Sequence, residues 1–153
     1  MHPKIPFKHG ARPLDVFDLD DRSARVNLGI EAFVNPHQPP KMADRYIRYS
    51  NGKFGILETK SSTLRKAPAQ LESTVSLFLR AGKQIDYLIV ILEDLSSYER
   101  ENLYRVRNGI LCKTNDGKPY PIVNGSHRWE IEIFREQQVD SMYDAHNKLF
   151  GGN

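Results

Sequence analysis

The sequence predicts an α/β fold in which a mixed central β-sheet is flanked by helices, and three segments carry the prediction. Tyr46-Ile47-Arg48-Tyr49 and Phe54-Gly55-Ile56-Leu57 are apolar-rich runs on either side of Asn51-Gly52, the strongest short-range signature of a β-hairpin. Between Pro68 and Gly82, the residues Leu71, Val75, Phe78 and Leu79 recur at helical spacing and mark one buried face. Ile85 to Leu92 (IDYLIVIL) is a continuous apolar run, the pattern of a strand buried on both faces. In order these read strand, strand, helix, strand. The last strand then lies parallel to the second through a right-handed helical crossover.

The remaining elements follow along the chain. Met1 to Pro13, rich in Pro, His and Lys, reads as an irregular N-terminal arm. Asp15 to Phe33 has no clean period: Asp20 or Asp21 is placed to cap a short helix through Leu28, while Val26 to Ile30 reads equally as a strand. Asn35 to Pro40 (NPHQPP) is a loop, since its three prolines exclude a ladder strand. Pro68 suits the first turn of the central helix and Gly82 its C-terminal cap. Ser96 or Ser97 is placed to cap a helix over Tyr98 to Val106. Ile110 to Lys113 and Tyr120 to Val123 suggest a second hairpin. Arg128 to Arg135 (RWEIEIFR) alternates as a half-exposed strand does, and Val139 to Phe150 reads as a closing helix.

Composition sets the broad class. A chain of 153 residues is most simply one domain, 1–153, and is long enough to bury a core. Net charge of +3 with a pI near 9.0 is mildly basic and compatible with a nucleic-acid partner. The single cysteine, Cys112, excludes an internal disulfide and a multi-cysteine zinc site, and its apolar neighbours favour a buried thiol. No run approaches the length of a membrane helix and the N-terminus lacks a signal-peptide core, so no membrane partner and a cytoplasmic location are expected. The histidines show no metal-ligand spacing, and no phosphate-binding glycine loop or nucleophile elbow occurs.

The hairpin also carries the chemistry. Side chains alternate along a strand, so Glu58 and Lys60 share one face. Whether Asp44 joins them depends on register. A two-residue Asn51-Gly52 loop sets Arg45 opposite Glu58 and turns Asp44 away. A three-residue loop, Ser50-Asn51-Gly52 with Gly52 left-handed, pairs Tyr49 with Lys53 and brings Asp44 opposite Glu58. The sequence leaves both open. Another acidic-x-Lys triplet, Asp116-Gly117-Lys118, lies in a turn rather than at a strand end.

Asp44, Glu58 and Lys60, followed by Gln70 in the next helix, resemble the pattern of the PD-(D/E)xK nuclease superfamily. The resemblance covers Asp44 to Leu92, and Ala43 stands where the name-giving Pro would be. It implies a restriction-endonuclease-like core and metal-dependent hydrolysis of phosphodiester bonds, in DNA first of all. Asp44, Glu58 and the carbonyl of Thr59 are then ligands of Mg²⁺, with Mn²⁺ as a substitute. Lys60 orients water or neutralises developing charge, and Gln70 helps to hold the water or a phosphate. The resemblance makes Glu31 a candidate additional acid from an upstream element, and it allows a homodimer. Arg65 and Lys66, just after the motif, are candidates to contact a phosphate backbone. The alternative is a non-catalytic nucleic-acid-binding or assembly module on the same fold.

Overall fold

The computed structural model describes residues 4–61, 64–93 and 104–150. Its centre is the hairpin of β2 (Arg45–Tyr49) and β3 (Phe54–Lys60), antiparallel with Arg45 opposite Leu57 and Arg48 opposite Phe54. The Tyr49 N–H donates to the Lys53 carbonyl at 2.8 Å and the Gly52 N–H to the Tyr49 carbonyl at 3.0 Å. The loop is therefore Ser50-Asn51-Gly52, with Gly52 at φ +79°, where a residue with a Cβ is strained. Ser50 is held from outside the hairpin. Its N–H donates to the Arg12 carbonyl at 2.8 Å, and its Oγ accepts the Arg12 N–H at 2.9 Å.

Helix α2 (Ala67–Arg80) follows, with Pro68 in its first turn, where a missing N–H costs nothing. It ends as Gly82 turns left-handed and the Lys83 N–H reaches back to the Phe78 carbonyl at 2.9 Å. The chain then enters β4 (Tyr87–Leu92), buried throughout and parallel to β3, with Gly55 opposite Tyr87 and Lys60 opposite Leu92. This strand, strand, helix, strand unit is the one the apolar patterning predicts.

The sheet widens on both sides. β1 (Pro13–Asp18) pairs with β2, and α1 (Arg22–Leu28) is capped by Asp21, whose side chain accepts the Ser23 N–H. The ambiguous stretch is thus helical through Leu28, and a single 3₁₀ turn, Glu31–Phe33, comes after it. Beyond β4 come β5 (Tyr104–Arg107), β6 (Ile110–Lys113), β7 (Pro121–Asn124), β8 (His127–Arg135) and α3 (Glu136–Phe150). The strand order is β1-β2-β3-β4-β8-β6-β5, with β7 on β8, and β8 runs parallel to β4. Among the described residues the result is a mixed sheet of eight strands with three α-helices.

Three expectations are corrected. The helix over Tyr98 to Val106 lies partly outside the described residues, but Tyr104 to Val106 belong to β5. Asn108 and Gly109, at φ +53° and +74°, form a two-residue turn that folds this strand onto β6. Ile110–Lys113 and Tyr120–Val123 do not form a full hairpin. A single bridge joins Cys112 to Pro119, while β7 pairs along β8, setting buried Ile122 beside buried Trp129. Met1 to Pro13 is irregular in residues 4–12, as expected, but it does not stay so to Pro13 and it packs on the sheet. Pro13 opens β1, and Ile5, Lys8 and Ala11 are buried.

Each face of the sheet carries a core. On one, α1 and α2 cover Tyr46, Ile56, Leu88, Val90 and Ile131. On the other, α3 and residues 5–11 cover Ile47, Tyr49, Leu57, Ile89 and Ile91. The buried Lys8 ammonium pairs with Glu132 and stands 4.9 Å from the centre of the Tyr87 ring. Among the described residues, no helix is long and apolar enough to cross a membrane.

Candidate active site

The site lies where β3 ends and the chain enters β2. Tyr46, Ile56, Glu58 and Lys60 share the α2 face because they are related by alternation and by cross-strand pairing. Asp44 lies just before the paired residues, its N–H donating at 3.0 Å to the carbonyl of Leu57, the residue that Arg45 faces. Its carboxyl lies beside that of Glu58, on the face that the three-residue loop requires. A one-residue slip would have sent the two carboxylates to opposite faces.

Asp44 is fixed by its surroundings. One carboxylate oxygen, Oδ2, accepts the Thr59 N–H at 2.8 Å, and its carbonyl accepts the Leu19 N–H at 2.9 Å. The Leu57 carbonyl faces β2, and the Lys60 carbonyl faces β4, where it accepts the Glu93 N–H. Backbone alternation therefore points both the N–H and the C=O of Thr59 toward Asp44. Two carboxyl groups and one carbonyl thus converge on one strand end.

Glu58 is 3 % exposed, and its Oε2 makes no hydrogen bond among the described residues. Burial first, then the hydrogen bond with Asp44 and the Asp44 charge, push its carboxyl up to about 8, against the pull of Lys60 and the Thr59 amide. A carboxyl pair held this close does not ionise twice unless a cation balances it. Lys60 is near enough to moderate the pair, but its Nζ donates to Gln70 Oε1 on α2.

Gln70 is placed by Thr74, a fully buried hydroxyl four residues on. The Thr74 hydroxyl donates to the Gln70 carbonyl at 2.7 Å and accepts the Ala43 N–H at 2.8 Å, tying α2 to the residue before Asp44. Thr74 went unrecognised in the sequence as a site-building residue. The available signal was a hydroxyl among the buried positions Leu71, Val75 and Phe78.

The other candidates are spread around this centre. Glu31, in the 3₁₀ turn, is bound by the Arg25 guanidinium, which holds its carboxyl below the usual range. The same guanidinium donates to the Leu19 carbonyl at 2.8 Å, so a chain of hydrogen bonds links Glu31 to Asp44 through Arg25 and Leu19. Among the described residues, no three His, Cys, Asp or Glu side chains are grouped to share a metal. Arg65 and Lys66 are exposed just before α2, and the Lys66 carbonyl accepts the Gln70 N–H at 3.2 Å. They lie at the same end of the sheet as the carboxyl pair.

The donors fit a hard divalent cation. Glu58 Oε2 is buried and has no hydrogen-bond partner among the described residues, and oxygen donors are what Mg²⁺ takes. Comparison of the chain with protein-family models, with curated proteins and with solved structures finds no match.

Proposed function

We propose that the chain is a metal-dependent nuclease of PD-(D/E)xK type, hydrolysing phosphodiester bonds, in DNA first of all. The unit from β2 through β4 is then its restriction-endonuclease-like core. The observation that carries the reading is the shared face of Asp44, Glu58 and Lys60 at the end of the β2–β3 hairpin. An ordinary surface hairpin has no reason to bury Glu58 beside a second carboxylate, because that burial is costly unless something compensates it.

In this reading Asp44, Glu58 and the Thr59 carbonyl hold Mg²⁺, with Mn²⁺ as a substitute. The bound ion supplies a water of lowered pKa and a Lewis acid for the phosphate oxygens. Asp44 is oriented by the Thr59 amide and so presents its second oxygen in a fixed direction. Lys60 brings an ammonium into position to neutralise charge developing on the phosphate. Its hydrogen bond to Gln70 keeps that ammonium on the site side of the sheet. Arg65 and Lys66 would position the backbone without reading sequence.

The test is cleavage of linear, branched and single-stranded nucleic acids with Mg²⁺ or Mn²⁺. Glu58→Ala should abolish cutting with the fold preserved. Lys60→Ala should lose most activity yet bind metal, since it is not a ligand. Failure to cut any substrate, or cutting by Glu58→Ala equal to the parent, removes the nuclease reading. An inactive protein that binds DNA would instead be a nucleic-acid-binding or assembly module.

A further inference from the structure

The face of the sheet opposite the carboxyl pair holds a second polar pair that the nuclease reading leaves unused. Arg45 follows Asp44 and Thr59 follows Glu58, so both point away from α2. Arg45 lies opposite Leu57, which makes Thr59 its diagonal cross-strand neighbour, ~7–8 Å away between Cα atoms. Both side chains are half-buried, and Arg45 Nε and Thr59 Oγ1 are buried atoms with no hydrogen-bond partner among the described residues. Buried donors of this kind are ordinarily satisfied.

The surroundings limit what could satisfy them. Thr59 stands opposite apolar Ile91 on the β4 side. Asp18 of β1 stands opposite Arg45, but the described residues show no ion pair between them, and Asp18 Oδ1 accepts the Asp20 N–H at 3.2 Å. A guanidinium N–H and a hydroxyl side by side ask for an acceptor rich in lone pairs, and a phosphate oxygen pair is the group that guanidinium geometry matches best.

We infer that Arg45 and Thr59 seat a phosphate neighbouring the one addressed by Asp44 and Glu58, so that the ligand is a nucleic-acid strand lying across the open end of β2 and β3. The inference rests on the proposed nuclease site. Adjacent residues of a strand project to opposite faces, so the carboxyl pair and the Arg45–Thr59 pair lie on the two faces of the sheet at one strand end. A mononucleotide or small phosphate ester serves one face only. A polymer with phosphates in series reaches both. Arg45 and Thr59 are positioning residues in this arrangement.

The test measures binding of a duplex oligonucleotide with Ca²⁺ in place of Mg²⁺, Mg²⁺ affinity alone, and the effect of inorganic phosphate on the Arg45 Nε–H resonance. Arg45→Met should raise the oligonucleotide Kd about tenfold and lower the slope of log affinity against log salt by about one. Thr59→Val, which keeps the backbone groups, should raise Kd about threefold, with Thr59→Ser restoring it. In Arg45→Met the Mg²⁺ affinity should not move. Arg45→Lys serves if Arg45→Met does not fold, and should fall between it and the parent. Unchanged Kd and slope would overturn the inference, as would an equal loss of Mg²⁺ affinity, which marks a role in the fold alone. Phosphate binding at Arg45 without oligonucleotide binding would overturn the polymer and leave a small ester. A protein that never cuts, yet loses oligonucleotide affinity in Arg45→Met, keeps the clamp and loses the nuclease reading.

Discussion

Replacing Glu58 by Gln should stabilise the metal-free protein, and by an amount that depends on pH. The Glu58 carboxyl titrates near 8 in the folded chain against an ordinary value of 4.5. A folded value above the unfolded one means that the native state keeps its proton where the unfolded state has lost it. The contribution of this group to stability is therefore complete below 4.5, declines as pH rises, and is gone above about 8. At ~1.4 kcal/mol for each pH unit, the parent loses at most about 3 kcal/mol between pH 4.5 and 7 and at most about 5 kcal/mol by pH 8. Gln cannot ionise and does not share the loss. Against a domain stability of roughly 5–15 kcal/mol, the difference is large.

Urea unfolding of both proteins in EDTA, from pH 4 to 8, measures it. The two curves should nearly coincide at pH 4 and separate steadily, with Glu58→Gln the more stable at pH 7. Adding Mg²⁺ should then rescue the parent and not the variant, by about 2.7 kcal/mol when the ion is at a hundredfold excess over its Kd. A difference that does not change with pH, or a variant that is less stable at pH 7 than the parent, would refute the placement of Glu58 in a buried carboxyl pair.

Thr74→Val should cost about 1–3 kcal/mol, because it leaves the Ala43 N–H buried without an acceptor, and should also weaken Mg²⁺ binding; Thr74→Ser should restore both, read by urea unfolding and metal titration. Gly52→Ala should cost about 1 kcal/mol, since no atom lies within 4 Å of the added Cβ and only the left-handed backbone opposes it. A loss several times larger would mean that the loop closes differently. Lys8→Met should destabilise by about 1–3 kcal/mol by stranding Glu132, which is 29 % exposed, and Lys8→Met with Glu132→Leu should recover most of that in the same assay.

How far the fold could be read from the chain is clearest at two of its three Asn-Gly pairs, Asn51-Gly52 and Asn108-Gly109. At Asn108-Gly109 both residues are left-handed and Arg107 faces Ile110, the tight turn that this dipeptide ordinarily makes. The helical look of Tyr98 to Val106 competes with this signal and hides the hairpin in the sequence. At Asn51-Gly52 the hairpin was plain, yet its register was not. Both faces of β2 are buried, Tyr46 toward α2 and Tyr49 toward α3, so no polar stripe showed which register is right. The central helix and β4 were legible because their apolar patterns are long and unbroken.

What settles the site register lies far from the site in sequence. Ser50 becomes the third loop residue because Arg12 receives its N–H and donates to its Oγ, 38 positions away. The N-terminal segment that reads as an irregular arm therefore helps to decide which face Asp44 takes. Arg12 acts through its backbone, so its side chain left no trace of this in the sequence, and the segment is anchored by groups as scattered as Tyr49, Tyr143 and Glu132. Deleting residues 1–12 should consequently do more than lower stability. With Ser50 released, the loop is free to tighten to Asn51-Gly52, which would carry Asp44 off the Glu58 face. The truncated protein should lose Mg²⁺ affinity even under conditions where it remains folded, and the cross-strand NMR contacts should place Arg45 rather than Asp44 opposite Glu58. Retention of the Asp44–Glu58 pairing in the truncated chain would show that the hairpin holds its register without help.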